Sequence, residues 1–366
     1  MRVLYGVFGY GRGHATRAMG VLSALAQEHQ VMVCAGGDAF EALRSLHPVR
    51  RIPTLRFHYD RAGKYSALRT IMGNARPLLD LLSEGDDARQ LIDDIRAFGP
   101  DLAICDADPW THRAAAHLRI PRIGFDHFGV LAHCRPPIAS GDRLAYAADV
   151  LCYRWLTGTP DRVIVSSFYD APATRPGVRR IGPLIRDEVR AASPTRGQHL
   201  LVYFNNGAHQ LTPAVESALQ ACGLPVVVYG SGQIGRHRNL SFRAPANQAF
   251  VDDLASCRAV LSTAGNQLVG ETMHLNKPIL VVPEASVEQR INAAAVVRLG
   301  IGAALTWKSL TAAAIRRFLS GEWRYREATR RHARDGRADA LEAVDEFARQ
   351  LTGRSVRASR EIRGAA

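Results

Sequence analysis

The sequence predicts an α/β fold with two Rossmann-like domains that face a cleft. Short apolar segments alternate with helix-like segments along the chain, which is typical of a parallel sheet covered by helices. This alternation stops in a polar, turn-rich stretch near the middle of the chain and then starts again. The length of 366 residues suits two domains better than one.

The domain boundaries are predicted from this polar stretch. It runs from Gly182-Pro183 to Arg196-Gly197 and carries turn residues and charges instead of an apolar periodicity. We predict an N-terminal domain at 1–185, a linker at 186–197, a C-terminal domain at 198–320, C-terminal helices at 321–351 and a flexible tail at 352–366.

In the first half, each strand is predicted from a short apolar run and each helix from a periodic apolar stripe. Leu91, Ile92 and Ile95 form such a stripe, and Gly99-Pro100 ends that helix. The stretch between the second helix and residue 86 is less regular. The predicted strands are 2–8, 31–35, 101–105, 121–125 and 163–166, and the predicted helices are 14–27, 38–46, 86–98 and 110–118.

The second half repeats the same alternation after the linker. Its last helices extend to about residue 351, beyond which the chain is rich in arginine and serine. The predicted strands are 199–204, 225–229, 259–262, 278–282 and 303–305, and the predicted helices before the last ones are 212–222, 248–256, 267–275 and 287–299.

The composition disfavours several classes of protein. The sequence has no run of 18 apolar residues, so we expect no helical membrane span. Its N-terminal apolar stretch is too short for a signal peptide. The six cysteines are scattered singly, with no CxxC pair and no histidine at ligand spacing. We therefore expect no metal site and no disulfide framework, and a cytoplasmic location.

The net charge of +13 comes from arginine, since only Lys64, Lys277 and Lys308 are lysines. Basic residues interleaved with aromatic ones, as in RNA-binding motifs, do not occur, so we expect no nucleic-acid partner. Attraction to an anionic lipid or to a phosphorylated small molecule is favoured instead.

Basic residues between positions 50 and 76 stand beside apolar ones in the first half. Two interpretations stay open: peripheral contact with an anionic bilayer, on its inner face, or a solvated basic face. The apolar residues are Leu68, Ile71, Met72, Leu78 and Leu79.

A glycine-rich loop follows the first predicted strand and opens a helix. It reads Gly9-Tyr10-Gly11-Arg12-Gly13-His14. Its G-x-G-x-G spacing, with no acidic residue ending the second strand, disfavours a nicotinamide cofactor. The glycines suit either close approach of a ligand to the backbone or a tight turn. His14 stands at the carboxyl edge of the sheet, where ligands enter open α/β folds, and is a candidate catalytic residue.

Two carboxylates end a later strand of the same predicted sheet. Asp106 can hydrogen-bond a histidine ring and fix its tautomer, as in His–Asp dyads. Asp108 precedes Pro109 and suits a helix N-cap. We predict that Asp108 caps the helix and that Asp106 is the partner of His14.

The most specific pattern lies in the second half. A loop of small residues containing Gly265 and Asn266 leads from a strand into a helix, where N–H groups can bind a diphosphate. Glu271, one turn along, can accept hydrogen bonds from two ribose hydroxyls. Gln289 and Asn292 share a helix face and can bind hydroxyls. The alternative is a helix cap followed by a solvated helix face.

These motifs together resemble the GT-B glycosyltransferases of families 1 and 28, the second of which includes the lipid II-forming N-acetylglucosaminyltransferases. The resemblance covers nearly the whole chain, and its most specific part runs from Gly265 through Glu271 to Gln289 and Asn292. The run Gly9 to Arg17 looks closest to a poorly characterised branch of these enzymes.

The resemblance implies an inverting transferase that moves a sugar from a nucleotide sugar to a hydroxyl acceptor without a metal or other cofactor. His14 would be the base, Asp106 its dyad partner, Glu271 the ribose ligand, and Gln289 with Asn292 the ligands of the donor sugar. The nucleotide base would stack near Phe250. The other implied nucleotide-sugar ligands are Gly11, Gly13, Asn206, Val251, Gly265 and Asn266.

Two departures from the family pattern concern the diphosphate. Thr263 stands where many family 1 members carry histidine, and Asn205-Asn206-Gly207 has fewer glycines than the corresponding loop of family 28. We expect a uracil base rather than thymine or guanine. The acceptor is a small molecule or a lipid-linked one, and His127 is a candidate acceptor ligand, although a core or surface histidine fits that position equally well.

Two other functions fit the same fold. A nucleotide-sugar epimerase would release free nucleotide without transferring sugar. A non-catalytic module would bind a sugar or lipid and would not need the His14–Asp106 pair.

Overall fold

The computed structural model describes residues 1–56, 58, 66–205, 207–244 and 246–356. The chain divides into two compact units. Unit 1 contains the described residues of 1–58, 67–184 and 336–366, and unit 2 contains those of 59–66 and 185–335. Each unit has its own sheet with helices, which confirms the predicted α/β class.

Unit 1 is built on a seven-stranded sheet in which every neighbouring pair is parallel. The spatial order is β3-β2-β1-β4-β5-β6-β7, so the order reverses between β1 and β4, where open α/β sheets bind ligands. Val7 pairs with Asp106, which places the carboxyl ends of β1 and β4 side by side. The strands are β1 (Arg2–Val7), β2 (Gln30–Ala35), β3 (Val49–Arg51), β4 (Leu102–Asp106), β5 (Arg122–Asp126), β6 (Arg162–Ser166) and β7 (Val178–Ile181).

Helices supply the apolar side chains of two core clusters in unit 1. Leu22 and Leu25 belong to one cluster, and Leu91 and Ile95 belong to the other. The helices are α1 (Arg12–Glu28), α2 (Gly37–Leu43), α3 (Ala67–Gly73), α4 (Ala75–Ser83), α5 (Asp86–Phe98), α6 (Pro109–His117), α7 (Gly129–His133) and α8 (Arg143–Thr157).

Unit 2 repeats the plan with seven strands in the order β10-β11-β9-β8-β12-β13-β14. Its pairs are parallel except for β10 with β11 at one edge. The strands are β8 (Leu200–Tyr203), β9 (Val226–Tyr229), β10 (Gly235–His237), β11 (Leu240–Arg243), β12 (Ala259–Ser262), β13 (Ile279–Val281) and β14 (Gly302–Ala304). The helices are α9 (Asp187–Ala191), α10 (Pro213–Gln220), α11 (Asn247–Ser256), α12 (Asn266–His274), α13 (Val287–Arg298), α14 (Ala312–Ser320) and α15 (Glu322–His332).

The last helix, α16 (Arg337–Thr352), belongs to unit 1 although it follows unit 2 in the chain. Val344 and Phe347 join the same core cluster as α1, and the N–H of Gly336 donates to Pro183 O at 2.8 Å. This differs from the predicted grouping of the C-terminal helices at 321–351, because α15 belongs to unit 2 and α16 to unit 1.

Two further predicted segments contain structure that the sequence pattern did not indicate. Helix α9 lies inside the predicted linker at 186–197. The predicted flexible tail begins at the end of α16, and its residues 357–366 lie outside the described part of the chain. Within the described part, Val356 is buried, and its N–H donates to Asp345 Oδ1 at 2.8 Å.

Every strand and helix that was predicted individually is present, with ends that differ by a few residues. Strands β3, β7, β10 and β11 and helices α3, α4, α7 and α8 were not predicted. Among the described helices, none combines the length and the apolar character needed to cross a membrane.

Candidate functional site

The carboxyl ends of β1 and β4 bring His14 and Asp106 together. Gly11 has a φ of 88°, which only glycine adopts readily, and lets the chain turn from β1 into α1. His14 stands in the first turn of α1, where its Nδ1 lies 2.6 Å from Asp106 Oδ1. Phe8 packs edge-on against the ring with centroids 5.2 Å apart. The His14 side chain keeps 22% of its surface exposed, whereas Asp106 is fully buried.

Arg17 also binds Asp106, and this contact was not predicted. Its Nε donates to Asp106 Oδ2 at 2.8 Å, and its Nη2 donates to Oδ1 at 2.7 Å. The same Nη2 lies 3.0 Å from His14 Nδ1. Arg17 stands three residues after His14 on α1, so the helical period places both on one face. That spacing is the only signal in the sequence for this contact.

The charges of this cluster keep Asp106 ionised. Burial alone would raise the pKa of Asp106, but the positive charge of Arg17 and the hydrogen bonds from Arg17 and His14 together lower it. Burial likewise opposes the charge of Arg17, yet Asp106 raises the pKa of that guanidinium. Since the buried carboxylate is an acceptor, the ring of His14 donates through Nδ1–H, which leaves Nε2 as the basic nitrogen.

The glycine-rich loop between β1 and α1 packs against other residues of unit 1. A side chain at Gly9 would collide with Thr54 and with the backbone of Gly36, so the loop is closely packed there. The N–H of Gly11 donates to Asp38 Oδ2 at 3.0 Å. Gly11 and Gly13 belong to unit 1, whereas the other predicted nucleotide-sugar ligands among the described residues belong to unit 2. Their role as such ligands stays a prediction.

Asp108 caps α6, as the sequence indicated. Its Oδ2 accepts from the N–H and the hydroxyl of Thr111, each at 2.8 Å. Burial raises the pKa of Asp108 to about 7, although the hydrogen bonds from Thr111 lower it in part. The Asp108 carboxyl group therefore caps α6, and Asp106 is the carboxylate that pairs with His14.

His127, the candidate acceptor ligand, is a buried residue of the core of unit 1. Its Nδ1 donates to Ser166 O at 2.7 Å. The neighbouring Asp126 is buried too and accepts from Tyr153 Oη at 2.7 Å. Burial, followed by the charge of Asp106, raises the pKa of Asp126. These contacts support the structural interpretation of His127, and its role toward an acceptor stays a prediction.

In unit 2, the loop between β12 and α12 holds the predicted diphosphate ligands. Gly265 is the N-cap of α12, and the space where its side chain would stand is open. Asn266 begins the helix and is buried. Thr263 accepts from Asn205 Nδ2 at 2.6 Å. Free N–H groups at such a helix start can bind an anionic group.

Glu271 lies on α12 beneath Arg186, a contact that was not predicted. Arg186 Nε and Nη2 donate to the two carboxylate oxygens at 2.8 and 2.7 Å. Gln267 Nε2 also donates to Glu271 Oε1, at 2.9 Å. The Glu271 side chain is 2% exposed and the Arg186 side chain 15%. A ribose can therefore reach this carboxylate only if the side chains above it move.

Phe250 lies next to the same ion pair. Its ring contacts Tyr203 and Tyr229 edge-on, with centroids 5.5 and 5.2 Å apart. The guanidinium of Arg186 stands 5.8 Å from the Phe250 ring centroid. Val251, the next residue, is fully buried, so its side chain belongs to the core, and its predicted contact with a nucleotide would have to involve its backbone.

Gln289 and Asn292 share a face of α13, as expected, and this face holds the loop before α12. Gln289 Oε1 accepts from the N–H of Glu284 at 2.9 Å and from that of Ala264 at 3.3 Å. Asn292 Nδ2 donates to Ala264 O at 2.8 Å and also to Glu288. Both residues are buried. In this structure they hold the loop before α12, and their contact with a sugar stays a prediction.

Two further predictions concern Asn206 and a metal ion. Asn206, a predicted nucleotide-sugar ligand, lies outside the described residues. Within the described ranges, histidine, cysteine and acidic side chains do not form a group of three or more that could hold a metal ion.

Comparison with known proteins gives one family and many solved structures. Residues 1–321 match the family described as glycosyl transferase family 1. No curated protein matches the chain.

Three of the similar solved structures cover almost the whole chain. UGT2 of Phytolacca americana, complexed with UDP-2-fluoro-glucose and pterostilbene, has a TM-score of 0.68 at 15% identity, over 95% of this chain and 98% of that chain. CalG4, the calicheamicin glycosyltransferase, has a TM-score of 0.64 at 17% identity, over 95% and 98%. MurG of Acinetobacter baumannii has a TM-score of 0.58 at 16% identity, over 94% and 99%. At these identities the likeness concerns the fold.

Proposed function

Because this chain belongs to glycosyl transferase family 1 and has the GT-B fold, we propose that it is an inverting, metal-independent transferase that uses a UDP-sugar. The observation that carries the proposal is the 2.6 Å contact between His14 Nδ1 and Asp106 Oδ1 at the carboxyl edge of the first sheet. It leaves a partly exposed imidazole with Nε2 as its basic nitrogen.

In the proposed reaction His14 is the general base. The acceptor hydroxyl transfers its proton to His14 Nε2 while its oxygen attacks the anomeric carbon of the donor. The bond from that carbon to the diphosphate breaks, and the diphosphate leaves with the electron pair, so the configuration inverts. The ionised Asp106 stabilises the imidazolium. General base catalysis of this kind contributes about 10²–10⁴ in rate.

Unit 2 is proposed to bind the donor. The start of α12 at Gly265 and Asn266 would stabilise the leaving diphosphate, since N–H groups and the helix dipole are already oriented there. Gln289 and Asn292 support this proposal by holding the loop in place. The ribose hydroxyls would replace Arg186 as hydrogen-bond donors to the Glu271 carboxylate, and the nucleotide base would lie near Phe250.

The similar structures support the choice of ligand class. One of them carries UDP-2-fluoro-glucose, and another, the glycosyltransferase VinC, is complexed with dTDP at 19% identity and a TM-score of 0.59. We propose uridine for this chain, and thymidine is the alternative that the test must separate.

The test is a screen of UDP-, dTDP- and GDP-sugars with pooled hydroxyl acceptors and chelator present, read by mass spectrometry. We expect one UDP-sugar to yield free UDP and a glycosylated product, and ¹H NMR to show the inverted anomer. A retained anomer would contradict the mechanism. Isomerised donor or released nucleotide without any glycosylated product would indicate an epimerase.

A peripheral membrane contact is proposed for the acceptor side of unit 1. Helices α3 and α4 expose Leu68, Ile71, Met72 and Leu79, each by more than 60%. We expect sedimentation with anionic vesicles at low salt to exceed that with neutral vesicles, and the variant Ile71→Glu to reduce it. Equal sedimentation with both kinds of vesicle would reject the contact.

A further inference from the structure

A buried arginine stands directly behind the dyad of unit 1. We propose that Arg17 is a positioning residue for the transfer reaction: it holds Asp106 in one orientation and shares its charge, so that His14 keeps Nε2 unprotonated and directed away from the carboxylate. This inference rests on the proposed function and adds a third member to the His14–Asp106 pair.

The geometry of the guanidinium leaves Asp106 one orientation. Two parallel hydrogen bonds, Nε to Oδ2 and Nη2 to Oδ1, are 2.8 and 2.7 Å long. A guanidinium fork of this kind fixes the plane of a carboxylate as well as its position. Because Oδ1 also faces His14 Nδ1 at 2.6 Å, the carboxylate plane in turn fixes the imidazole.

The 2.6 Å contact between His14 Nδ1 and the carboxylate oxygen Oδ1 of Asp106 defines the tautomer. Arginine has no acceptor atom, so Arg17, whose Nη2 lies 3.0 Å from Nδ1, cannot accept the ring proton in place of Oδ1. The proton of the neutral imidazole therefore stays on Nδ1, and Nε2 carries the lone pair. A positive charge on the ring would lie close to the guanidinium, and the two cations would repel each other.

The surrounding charges agree with this role. The ionisable groups around the cluster include Tyr5 on β1, Asp126 on β5, Tyr153 on α8 and Asp108 before α6. Burial raises the pKa of Tyr5 and that of Asp126. Arg17, which bonds both oxygens of Asp106, is the counterion of that carboxylate, and without it the buried negative charge would be uncompensated.

The experiment follows the imidazole of His14 in the full chain by ¹⁵N NMR, with the signal assigned by its loss in His14→Gln. In the wild type we expect a protonated Nδ1 and an unprotonated Nε2 at neutral pH. In Arg17→Met the dyad should take up its proton at a higher pH than in the wild type, because a neighbouring positive charge is lost. In Arg17→Lys most of this change should be absent, because lysine keeps the positive charge.

The same variants are compared by their pH–rate profiles. We expect the acidic limb of the kcat/KM profile to move to higher pH in Arg17→Met and to lie close to that of the wild type in Arg17→Lys. The control is Arg122→Met, which removes a partly buried arginine of unit 1 that bonds only backbone carbonyls, His112 O and Thr157 O among them. It should leave the imidazole titration and the profile unchanged.

The outcomes separate this inference from the proposed function. An unchanged titration and tautomer in folded Arg17→Met would overturn the role of Arg17. A shifted titration together with a fully active His14→Ala would leave the role of Arg17 as positioner intact and overturn the proposed function. If Arg17→Met does not fold, Arg17→Lys decides: retention of the wild-type tautomer and titration supports the inference, and proton uptake moved to a higher pH despite the retained charge contradicts the charge argument.

Discussion

A bidentate arginine–carboxylate pair occurs in each of the two units, but the two pairs differ in what surrounds them. In unit 1, Arg17 and Asp106 are both buried, and the group that reaches solvent is the imidazole of His14. In unit 2, Glu271 is buried and Arg186 itself forms the more exposed partner. The first pair can therefore act by orienting a third residue. The second occupies the carboxylate that a ligand is proposed to use.

This difference shows how the same ion pair serves two purposes. A buried pair gains little net stability, because desolvating two charges offsets most of their attraction. Its value in unit 1 lies in orientation. In unit 2 the pair covers Glu271, and in the proposed donor site a ribose would compete with Arg186 for this carboxylate. Loss of a carboxylate should then affect catalysis in unit 1 and affinity in unit 2.

Replacing the base should have the largest effect on activity. His14→Ala removes Nε2, and we expect transfer to fall by about 10²–10⁴. Nucleotide affinity should be unchanged in calorimetry, because the His14 side chain is not among the proposed donor ligands and unit 2 is proposed to bind the donor. His117→Ala, which removes a half-exposed imidazole of unit 1 paired with Glu84, is the matched control. An active His14→Ala would refute the dyad as the catalytic group.

Neutralising the first carboxylate should lower stability as well as rate. Asp106→Asn retains the shape but leaves Arg17 as a buried charge without its counterion, so we expect a loss of about 3–5 kcal/mol in the free energy of unfolding. Transfer should fall less than in His14→Ala because the imidazole remains.

Asp94→Asn is the control for this loss, since it breaks the partly exposed pair with Arg50 and should cost at most about 1 kcal/mol. Urea unfolding of the three proteins provides the measurement. Equal stability of Asp106→Asn and the wild type would mean that the buried guanidinium finds other partners.

Removing the second carboxylate should reduce affinity. Glu271→Ala should weaken UDP binding by about 1.5–3 kcal/mol, the range for hydrogen bonds to a charged group. Arg186→Met should strengthen UDP binding if the arginine competes with the ribose for Glu271. Isothermal titration calorimetry measures both.

Glu322→Ala is the matched control for Glu271, because Glu322 is a buried carboxylate of unit 2 that pairs with Arg196 and Arg258. It should lower stability without changing UDP affinity. An unchanged affinity for UDP in folded Glu271→Ala would remove Glu271 from the donor site. Weaker UDP binding in Arg186→Met would mean that Arg186 binds the nucleotide instead of competing with it.

The central strands and the positions of His14 and Asp106 could be predicted because periodicity and strand ends are local properties of the sequence. Strands β3 and β10 could not, since neither contains an apolar run: they read Val49-Arg50-Arg51 and Gly235-Arg236-His237. Arg186 was missed because its partner Glu271 lies 85 positions away, and no local spacing indicates such a pair. The shared face of Gln289 and Asn292 was predictable, but the loop it contacts depends on tertiary packing.

Arg17 shows the same limit from the other side. Its helical spacing from His14 was visible in the sequence, but a positive charge beside a predicted base gave no reason to look for a contact. Only the register of β1 with β4, which sets Val7 opposite Asp106, brings the carboxylate within reach of both residues. A pairing that depends on three elements is a property of the folded unit.

The two units should also differ in acid sensitivity. His112 in unit 1 is fully buried, and within the described residues neither of its ring nitrogens has a hydrogen-bond partner. Burial, aided by the charge of Arg122, lowers the pKa of His112 from 6.5 to about 3. Between these two values the unfolded chain binds a proton that the folded protein does not, so acid favours unfolding there. The contribution of this one histidine is about 1.4 kcal/mol per pH unit at most.

Urea unfolding of the wild type and His112→Phe at several pH values from 7 down to 4 tests this sensitivity. We expect His112→Phe to lose less stability than the wild type as the pH falls below 6.5, since phenylalanine binds no proton. His274→Phe in unit 2 is the control: burial also lowers the pKa of His274, but this residue is only partly buried and the charge of Asp335 opposes the shift, so its effect should be smaller. Parallel pH curves for the wild type and His112→Phe would show that the buried imidazole gains a proton without unfolding the chain, and the acid sensitivity would then have to come from the carboxylates that arginine holds ionised in both units.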